Sequence, residues 1–227
     1  MATVDILRGV RVEPSILSAD FGALRAQVGE VLDAGARAIH VDVMDGHFVP
    51  AIAAGPQVVS ALREQLEEVG GMLDVHLMIE RPERQVGEFL AAGAHSITFH
   101  AEATPHAAYV VSLVRDAGAC AGIAINPATP VGALAEVAHA IDLALCMTIN
   151  PGWAGQPLIE HTLDKVTRLR HILGDGVALQ VDGGVDSSTA PTCRAAGANL
   201  FVAGSAIFGE PDPAAAYRAI VEAAGAV

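Results

Sequence analysis

The sequence predicts an α/β protein folded as a single (β/α)8 barrel domain over residues 1–227, and three observations carry that expectation. Short β-branched runs alternate with longer amphipathic runs from end to end, and the alternation recurs eight times. A helix-to-strand phrase of Ala, Gly and Ala also repeats along the chain. Eight units in 227 residues average about 28 residues each, the size of a strand and helix with short loops.

The first expected strand is VEPSIL at 12–17, and FGALRAQVGEVLDAG at 21–35 supplies the helix after it. Further strands are expected at AIHVDVM (38–44), MLDVHLM (72–78), SITFH (96–100), CAGIAI (120–125), LALCMTI (143–149), VALQVD (177–182) and LFVAG (200–204). LIEHTLDKVTRLRHIL at 158–173 has the three- and four-residue apolar spacing of a helix that starts near Pro157. DAGARAIHV (33–41), AAGAHSITF (91–99), DAGACAGIA (116–124) and AAGANLFVA (195–203) share one phrase, in which Gly35, Gly93, Gly118 and Gly197 supply the positive-φ cap that ends a helix before a strand begins. A closed barrel and an open doubly wound sheet both alternate strand and helix. Eight units without a dinucleotide-binding fingerprint favour the closed, TIM-type barrel.

Composition narrows the function classes. Hydrophobic residues make up 52% of the chain and charged residues 17%, too apolar for a disordered chain. No apolar run reaches the roughly 20 residues of a membrane span, so no membrane partner is expected. MATVDILRGVRVEP lacks the basic, apolar and small-residue sequence of a secretion leader, which points to the cytoplasm. Cys120, Cys146 and Cys193 stand singly and are read as small buried hydrophobes in a reducing compartment. A net charge of −13 without a basic run argues against nucleic acid, and means that any phosphate must be held by local geometry.

Strands of a parallel sheet are covered on both faces and should be nearly continuously apolar. Three are not. Alternation places Ile39, Val41 and Val43 on one face and His40, Asp42 and Met44 on the other. It likewise sets Asp74, His76 and Met78 against Leu73, Val75 and Leu77, and Gln180 with Asp182 against Leu179 and Val181. With the β-branched sets packed on the helices, the polar sets point into the barrel near the C-terminal ends of their strands, where barrel active sites lie. His40, Asp42, His76 and Asp182 could ligate a divalent cation such as Zn2+ or Fe2+, or could form a buried ion-pair network; alternation does not separate the two. His100 is read as a residue behind the site or in the core. Glycine-rich segments NPGWAGQ (150–156), VDGGV (181–185) and VAGSAIFG (202–209) follow consecutive strands and could turn backbone N–H groups towards an anion.

PSILSAD (14–20), HVDVMDGHFVP (40–50), LDVHLMIERP (73–82), INPATP (125–130), MTINPGWAGQ (147–156), VDGGV (181–185) and AGSAIF (203–208) together closely resemble the ribulose-phosphate 3-epimerase family, over residues 10–210. The resemblance implies an isomerase of pentose phosphate metabolism that converts D-ribulose 5-phosphate to D-xylulose 5-phosphate at carbon 3. It implies one divalent metal ion, Zn2+ or Fe2+ with Mn2+ or Co2+ as substitutes, held by His40, Asp42, His76 and Asp182. Asp42 matches the proton acceptor and Asp182 the proton donor. Ser15, His76, Met44, Met78 and Met147 match residues around the substrate. Gly152, Trp153, Ala154 and Gly155, then Asp182, Gly183 and Gly184, then Gly204 and Ser205 match the substrate and phosphate segments. It also implies a homo-oligomer, a dimer or hexamer, acting on a small sugar phosphate.

Two departures from the family pattern stand out. VPAIAAGP at 49–56 replaces VPNITFGP, putting Ala51 and Ala54 where the family has Asn and Phe, and PGWAGQ replaces PGFGGQ. The first enlarges the region over the substrate and keeps allulose 6-phosphate in view as an alternative substrate. Aldolases and decarboxylases with similar phosphate loops want a lysine beside aspartates at a strand end; the sole lysine here, Lys165, lies in a helical run. A non-catalytic metal- or phosphate-binding barrel is disfavoured by the intact pair of carboxylates.

Overall fold

A computed structural model describes residues 3–226. The parallel strands are β1 (Arg11–Pro14), β2 (Ala38–Asp45), β4 (Met72–Met78), β5 (Ser96–His100), β6 (Cys120–Ile125), β7 (Leu143–Met147), β8 (Ala178–Asp182) and β9 (Leu200–Ala203), with a two-residue antiparallel strand β3 (Ile52–Ala53) beside β2. Their order in the sheet is β1-β9-β8-β7-β6-β5-β4-β2-β3. A parallel bridge between Ser15 and His40 joins β1 back to β2 and closes the barrel. The expected (β/α)8 architecture is therefore present.

The helices are α1 (Thr3–Arg8), α2 (Leu24–Asp33), α3 (Pro56–Glu68), α4 (Val86–Ala92), α5 (Ala107–Asp116), α6 (Thr162–Leu173), α7 (Ala190–Ala195), α8 (Ser205–Phe208) and α9 (Pro213–Ala224). None of the described helices is long and apolar enough to cross a membrane. Val28, Val31 and Leu32 of α2 and Val59, Leu62 and Leu66 of α3 pack with the outward strand residues Ile39, Val41, Leu73 and Val75 in one buried cluster. That layer is the core, and burial of roughly 25 cal/mol per Å2 of apolar surface stabilises it. Ile6 and Leu7 of α1 pack with Ala38, Met72, Cys120, Leu143, Ala178 and Leu200, the first residues of six strands, and so stopper the N-terminal end of the barrel. The opposite, C-terminal end of the strands carries a pocket lined by the inward-facing Asp42 and Asp182.

The four expected caps have positive φ, +115° at Gly35, +107° at Gly93, +83° at Gly118 and +112° at Gly197. All three cysteines are free and buried. Several boundaries differ from expectation. The first strand ends at Pro14 because Ser15 turns to cap a 3-10 turn, its Oγ accepting from Leu17 N. The 21–35 helix is trimmed to Leu24–Asp33. No α-helix follows β6: Pro127, Pro130 and Gly132 crowd the start of that connection, and only a 3-10 turn forms at Val131–Leu134. The helix expected near Pro157 begins at Thr162, because Ile159 N–H donates instead to Thr148 O at 2.8 Å and keeps that stretch extended along the barrel rim.

Candidate active site

Parallel register assembles the site. β2 and β4 pair His40 with Asp74, Asp42 with His76 and Met44 with Met78, so the inward residues meet side by side. β7 and β8 pair Met147 with Asp182. His76 Nδ1 lies 3.0 Å from Asp42 Oδ1 and 3.7 Å from Asp182 Oδ2, and His40 Nε2 lies 3.3 Å from Asp42 Oδ1. One ligand atom from each of His40, Asp42, His76 and Asp182 falls within 4.8 Å of the other three. Ser15 Oγ donates to Asp42 Oδ2 at 2.6 Å.

His40 and His76 each turn one ring nitrogen towards the carboxylates. His40 Nδ1 is engaged by Asp74 Oδ2 at 2.9 Å, leaving His40 Nε2, which faces Asp42, without a hydrogen-bond partner. His76 Nε2 is engaged by His100 Nε2 at 2.8 Å, leaving His76 Nδ1 directed at both carboxylates. Two imidazole nitrogens and two carboxylate oxygens, all of borderline or hard character, form a donor set that could hold a divalent cation.

The electrostatics agree with a demand for positive charge. Burial works against a charge on His40, but Asp42 and Asp74 outweigh it and raise its proton affinity well above the ordinary value. Burial also works against Asp42, yet His40 and His76 hold it well below the usual carboxylate range. Asp182 goes the other way, pushed up to about 7 by burial and by the charge on Asp42. Burial lowers His76 against the pull of Asp42. The two carboxylates therefore favour opposite protonation states in one pocket.

Above the cluster a pocket is lined by Ser15, Asp42, Met44, Met78, Met147, Gly152, Trp153, Ala154, Gly155, Asp182, Gly183, Gly184, Gly204 and Ser205, all of them expected from the sequence. His76 and His40 do not reach its wall; both are fully buried beneath it. Leu17, Ser18, Ile149, Pro151, Gln156, Val185 and Val202 also line it and were not singled out. Ser18 and Gln156 carried a visible signal, since both sit inside the motifs PSILSAD and PGWAGQ. No lysine or arginine is among the lining residues, so an anion in this pocket would rest on backbone N–H groups. Lys165 is nearly buried in α6, donating to Asn126 O at 2.5 Å and Pro127 O at 2.9 Å.

A deeper polar layer supports these groups. Gln180 Nε2 donates to Asp74 Oδ2 at 2.8 Å and to Glu13 Oε2. Burial, then Asp74, raises the Glu13 carboxyl well above its ordinary value. On the other side His100 Nδ1 lies 3.3 Å from Glu102 Oε2. Burial lowers His100 to about 4; Glu102, despite burial, is held at about 2 by hydrogen bonds from His100, Thr129 and Asn126. His100 thus lies behind the site, as expected; Glu13 and Glu102 were not foreseen.

A profile described as the Ribulose-phosphate 3 epimerase family matches residues 11–208. The chain is 45% identical over 207 residues to the ribulose-phosphate 3-epimerase of Bacillus subtilis strain 168, covering 89% of this chain and 94% of that protein. It is 43% identical over 214 residues to the ribulose-phosphate 3-epimerase of Escherichia coli strain K12, covering 93% and 92%. Among solved structures, the 3-hexulose-6-phosphate synthase of Salmonella typhimurium superposes with a TM-score of 0.72 at 16% identity, covering 94% of this chain and 98% of that one. KGPDC of Streptococcus mutans superposes with a TM-score of 0.72 at 18% identity, covering 96% and 98%. These two likenesses speak for the barrel alone. The profile match and the two curated relatives, each covering most of the sequence, make the chain a member of the ribulose-phosphate 3-epimerase family of isomerases.

Proposed function

We propose that the protein interconverts D-ribulose 5-phosphate and D-xylulose 5-phosphate by inverting carbon 3, with Asp42 and Asp182 moving the protons. The observation that carries this is that β2 and β8 bring two carboxylates into one pocket, with His76 Nδ1 3.0 Å from Asp42 Oδ1 and 3.7 Å from Asp182 Oδ2. Inversion beside a carbonyl requires a base on one face of the carbon and an acid on the other. Ionised Asp42 removes the proton from carbon 3, and protonated Asp182 returns one to the opposite face; the reverse reaction exchanges their roles. Ser15 holds Asp42 through Oδ2, leaving Oδ1 towards the histidines. Met44, Met78 and Met147 wall the reacting carbons with apolar side chains that exclude water. The phosphate is held by backbone N–H groups at Gly183–Gly184 and Gly204–Ser205 and by the Gly152–Gly155 loop.

His40, Asp42, His76 and Asp182 hold one divalent cation in this reading, Zn2+ or Fe2+ before Mn2+ or Co2+. When bound it supplies positive charge that stabilises the enediolate left after proton removal. The reading takes residues 1–227 as one domain and the working form as a cytoplasmic homo-oligomer, a dimer or hexamer.

Turnover in heavy water tests the scheme. Product and recovered substrate should acquire deuterium at carbon 3, and Asp42→Asn or Asp182→Asn should each lower kcat by about 10²–10⁴-fold with the fold retained. Epimerisation without solvent deuterium, or near-normal turnover in either variant, sinks the two-carboxylate scheme. A second reading, allulose 6-phosphate on the same carboxylates, draws on Ala51, a small side chain packed against Met44, Val49 and Met78; Ala54 packs instead against the outer core. Higher kcat/KM for the hexulose than for the pentulose phosphate would favour it.

A further inference from the structure

We propose that Glu102 and His100 form a positioning pair that fixes which nitrogen of His76 is bare, and thereby set how tightly the four-residue cluster holds a cation. The proposal rests on the cation reading given above. A continuous chain runs from the rim to the site. His100 Nδ1 is 3.3 Å from Glu102 Oε2, His100 Nε2 is 2.8 Å from His76 Nε2, and His76 Nδ1 is 3.0 Å from Asp42 Oδ1. The two ring planes are inclined by only 24°, and Phe48 packs on His100 at 4.7 Å between ring centroids, which restrains its rotation.

Proton counting gives this chain a direction. Two neutral imidazoles carry one N–H each, so two hydrogens serve three gaps and one gap must go without. At the rim, Glu102 Oε1 accepts from Asn126 N–H at 2.8 Å and from the Thr129 hydroxyl. Glu102 is thereby an acceptor, and the gap from its Oε2 to His100 must be closed by His100 Nδ1–H. His100 Nε2 then offers a lone pair, His76 fills the second gap with Nε2–H, and His76 Nδ1 is left bare. The gap lacking a hydrogen thus falls where His40 Nε2, Asp42 and Asp182 also converge. A carboxylate at the rim settles the tautomer of a histidine two residues further along the chain of bonds.

Glu102→Gln is the informative variant because it keeps shape and reverses direction. Asn126 N–H and the Thr129 hydroxyl hold the new amide with its oxygen in the Oε1 position. The amide NH2 must then face His100 Nδ1, which becomes an acceptor; His100 donates from Nε2, and His76 carries its hydrogen on Nδ1, pointing into the cluster. A cation can enter only by breaking one of these bonds. Zn2+ affinity of the purified protein, measured by competition with a chromogenic chelator, should weaken by about 10–100-fold.

Glu102→Ala should weaken it less, because the side chain is 25% exposed and water can take its place as acceptor for His100 Nδ1–H. A role confined to packing predicts the reverse order, since glutamine conserves shape, so a larger loss in Glu102→Ala than in Glu102→Gln overturns the proposal. A second readout is the 15N spectrum of histidine-labelled, Zn2+-loaded protein, with His76 assigned by its disappearance in His76→Gln. It should show His76 protonated on Nε2; protonation on Nδ1 overturns the proposal. Equal Zn2+ affinity in wild type and Glu102→Gln removes the positioning role and leaves the cation reading standing. No Zn2+ binding by wild type overturns the cation reading and this proposal with it.

Discussion

Ser15 joins the closure of the barrel to the candidate base: its backbone bridges to His40 across the β1–β2 seam, and its hydroxyl donates at 2.6 Å to Asp42 Oδ2. The seam and the carboxylate rotamer are thus set by one residue. Removing the hydroxyl in Ser15→Ala leaves Asp42 Oδ2 buried without its donor, and a hydrogen bond to a charged group is worth about 1.5–3 kcal/mol. We expect kcat/KM to fall by roughly 10–100-fold for a loss of that size. The backbone bridge survives, but the same bond is lost from the folded state, so Tm should also fall, by about 2–4 °C for each kcal/mol lost. Steady-state kinetics paired with a melting curve check both halves; unaltered kinetics would show that Asp42 is held by its histidines alone.

Asp182 predicts a trade between stability and activity. In the folded, cation-free protein its carboxyl is pushed up to about 7, by burial first and Asp42 second, from an ordinary value of 3.8. The folded state therefore keeps a proton that the unfolded chain gives up between those values. The stability linked to this group is fully present below 3.8 and is lost as pH rises through about 7. At pH 8 folding must bury a second negative charge beside Asp42, and asparagine removes that requirement. Chelator-treated Asp182→Asn should melt above chelator-treated wild type at pH 8, with the gain shrinking at pH 5. A gain that grew towards acid would contradict this sign.

Gly184 is fixed by sterics as well as by conformation. Its φ is +67°, and a Cβ there would meet the backbone N of Leu158 and lie 2.8 Å from the Leu158 Cα. Left-handed strain alone costs about 1–2 kcal/mol for an L-residue. The clash adds to it, because backbone cannot rotate away as a side chain can. Gly184→Ala should lower Tm by at least about 2–4 °C, the shift expected per kcal/mol in a chain of this size. It should also raise KM, since Gly184 lines the pocket and Leu158, which the added Cβ would displace, lies two residues beyond the lining residue Gln156. Thermal melting and initial-rate kinetics report the two effects separately.

Sequence periodicity exposed some of this site and hid the rest for physical reasons. His40, Asp42, His76 and Asp182 were visible because each interrupts an apolar β-strand at the two-residue period, where a buried polar group needs a partner. Glu13 was not, because β1 is the four-residue strand RVEP, too short to display alternation. Glu102 sits past a strand end in a 3-10 turn at Ala101–Ala103, and its donors Asn126 and Thr129 are 24 and 27 residues away, so no local spacing advertises the group. The eight strands were legible from their β-branched runs, but the start of α6 was not. That boundary is decided by the bond from Ile159 N–H to Thr148 O, a tertiary contact that overrides helical periodicity.

His40 and His76 are held by carboxylates in different ways, and the difference yields a contrasting prediction. His40 Nδ1 and Gln180 Nε2 both meet the same oxygen of Asp74, Oδ2, at 2.9 and 2.8 Å, while Asp74 Oδ1 has no hydrogen-bond partner. In Asp74→Asn those two donors should keep the amide oxygen in the Oδ2 position and place the NH2 where Oδ1 stands. His40 then still donates from Nδ1 and still presents Nε2 to the cluster. What is lost is charge: Asp74 is one of the groups that raise the proton affinity of His40 against burial. We expect Asp74→Asn to weaken Zn2+ binding by less than tenfold, below the 10–100-fold range typical of a disrupted supporting contact and below the loss in Glu102→Gln. Chelator competition on the two variants side by side makes the comparison. A loss in Asp74→Asn equal to or greater than that in Glu102→Gln would mean that buried charge, and not the direction of the hydrogen bonds, governs how these histidines meet a cation.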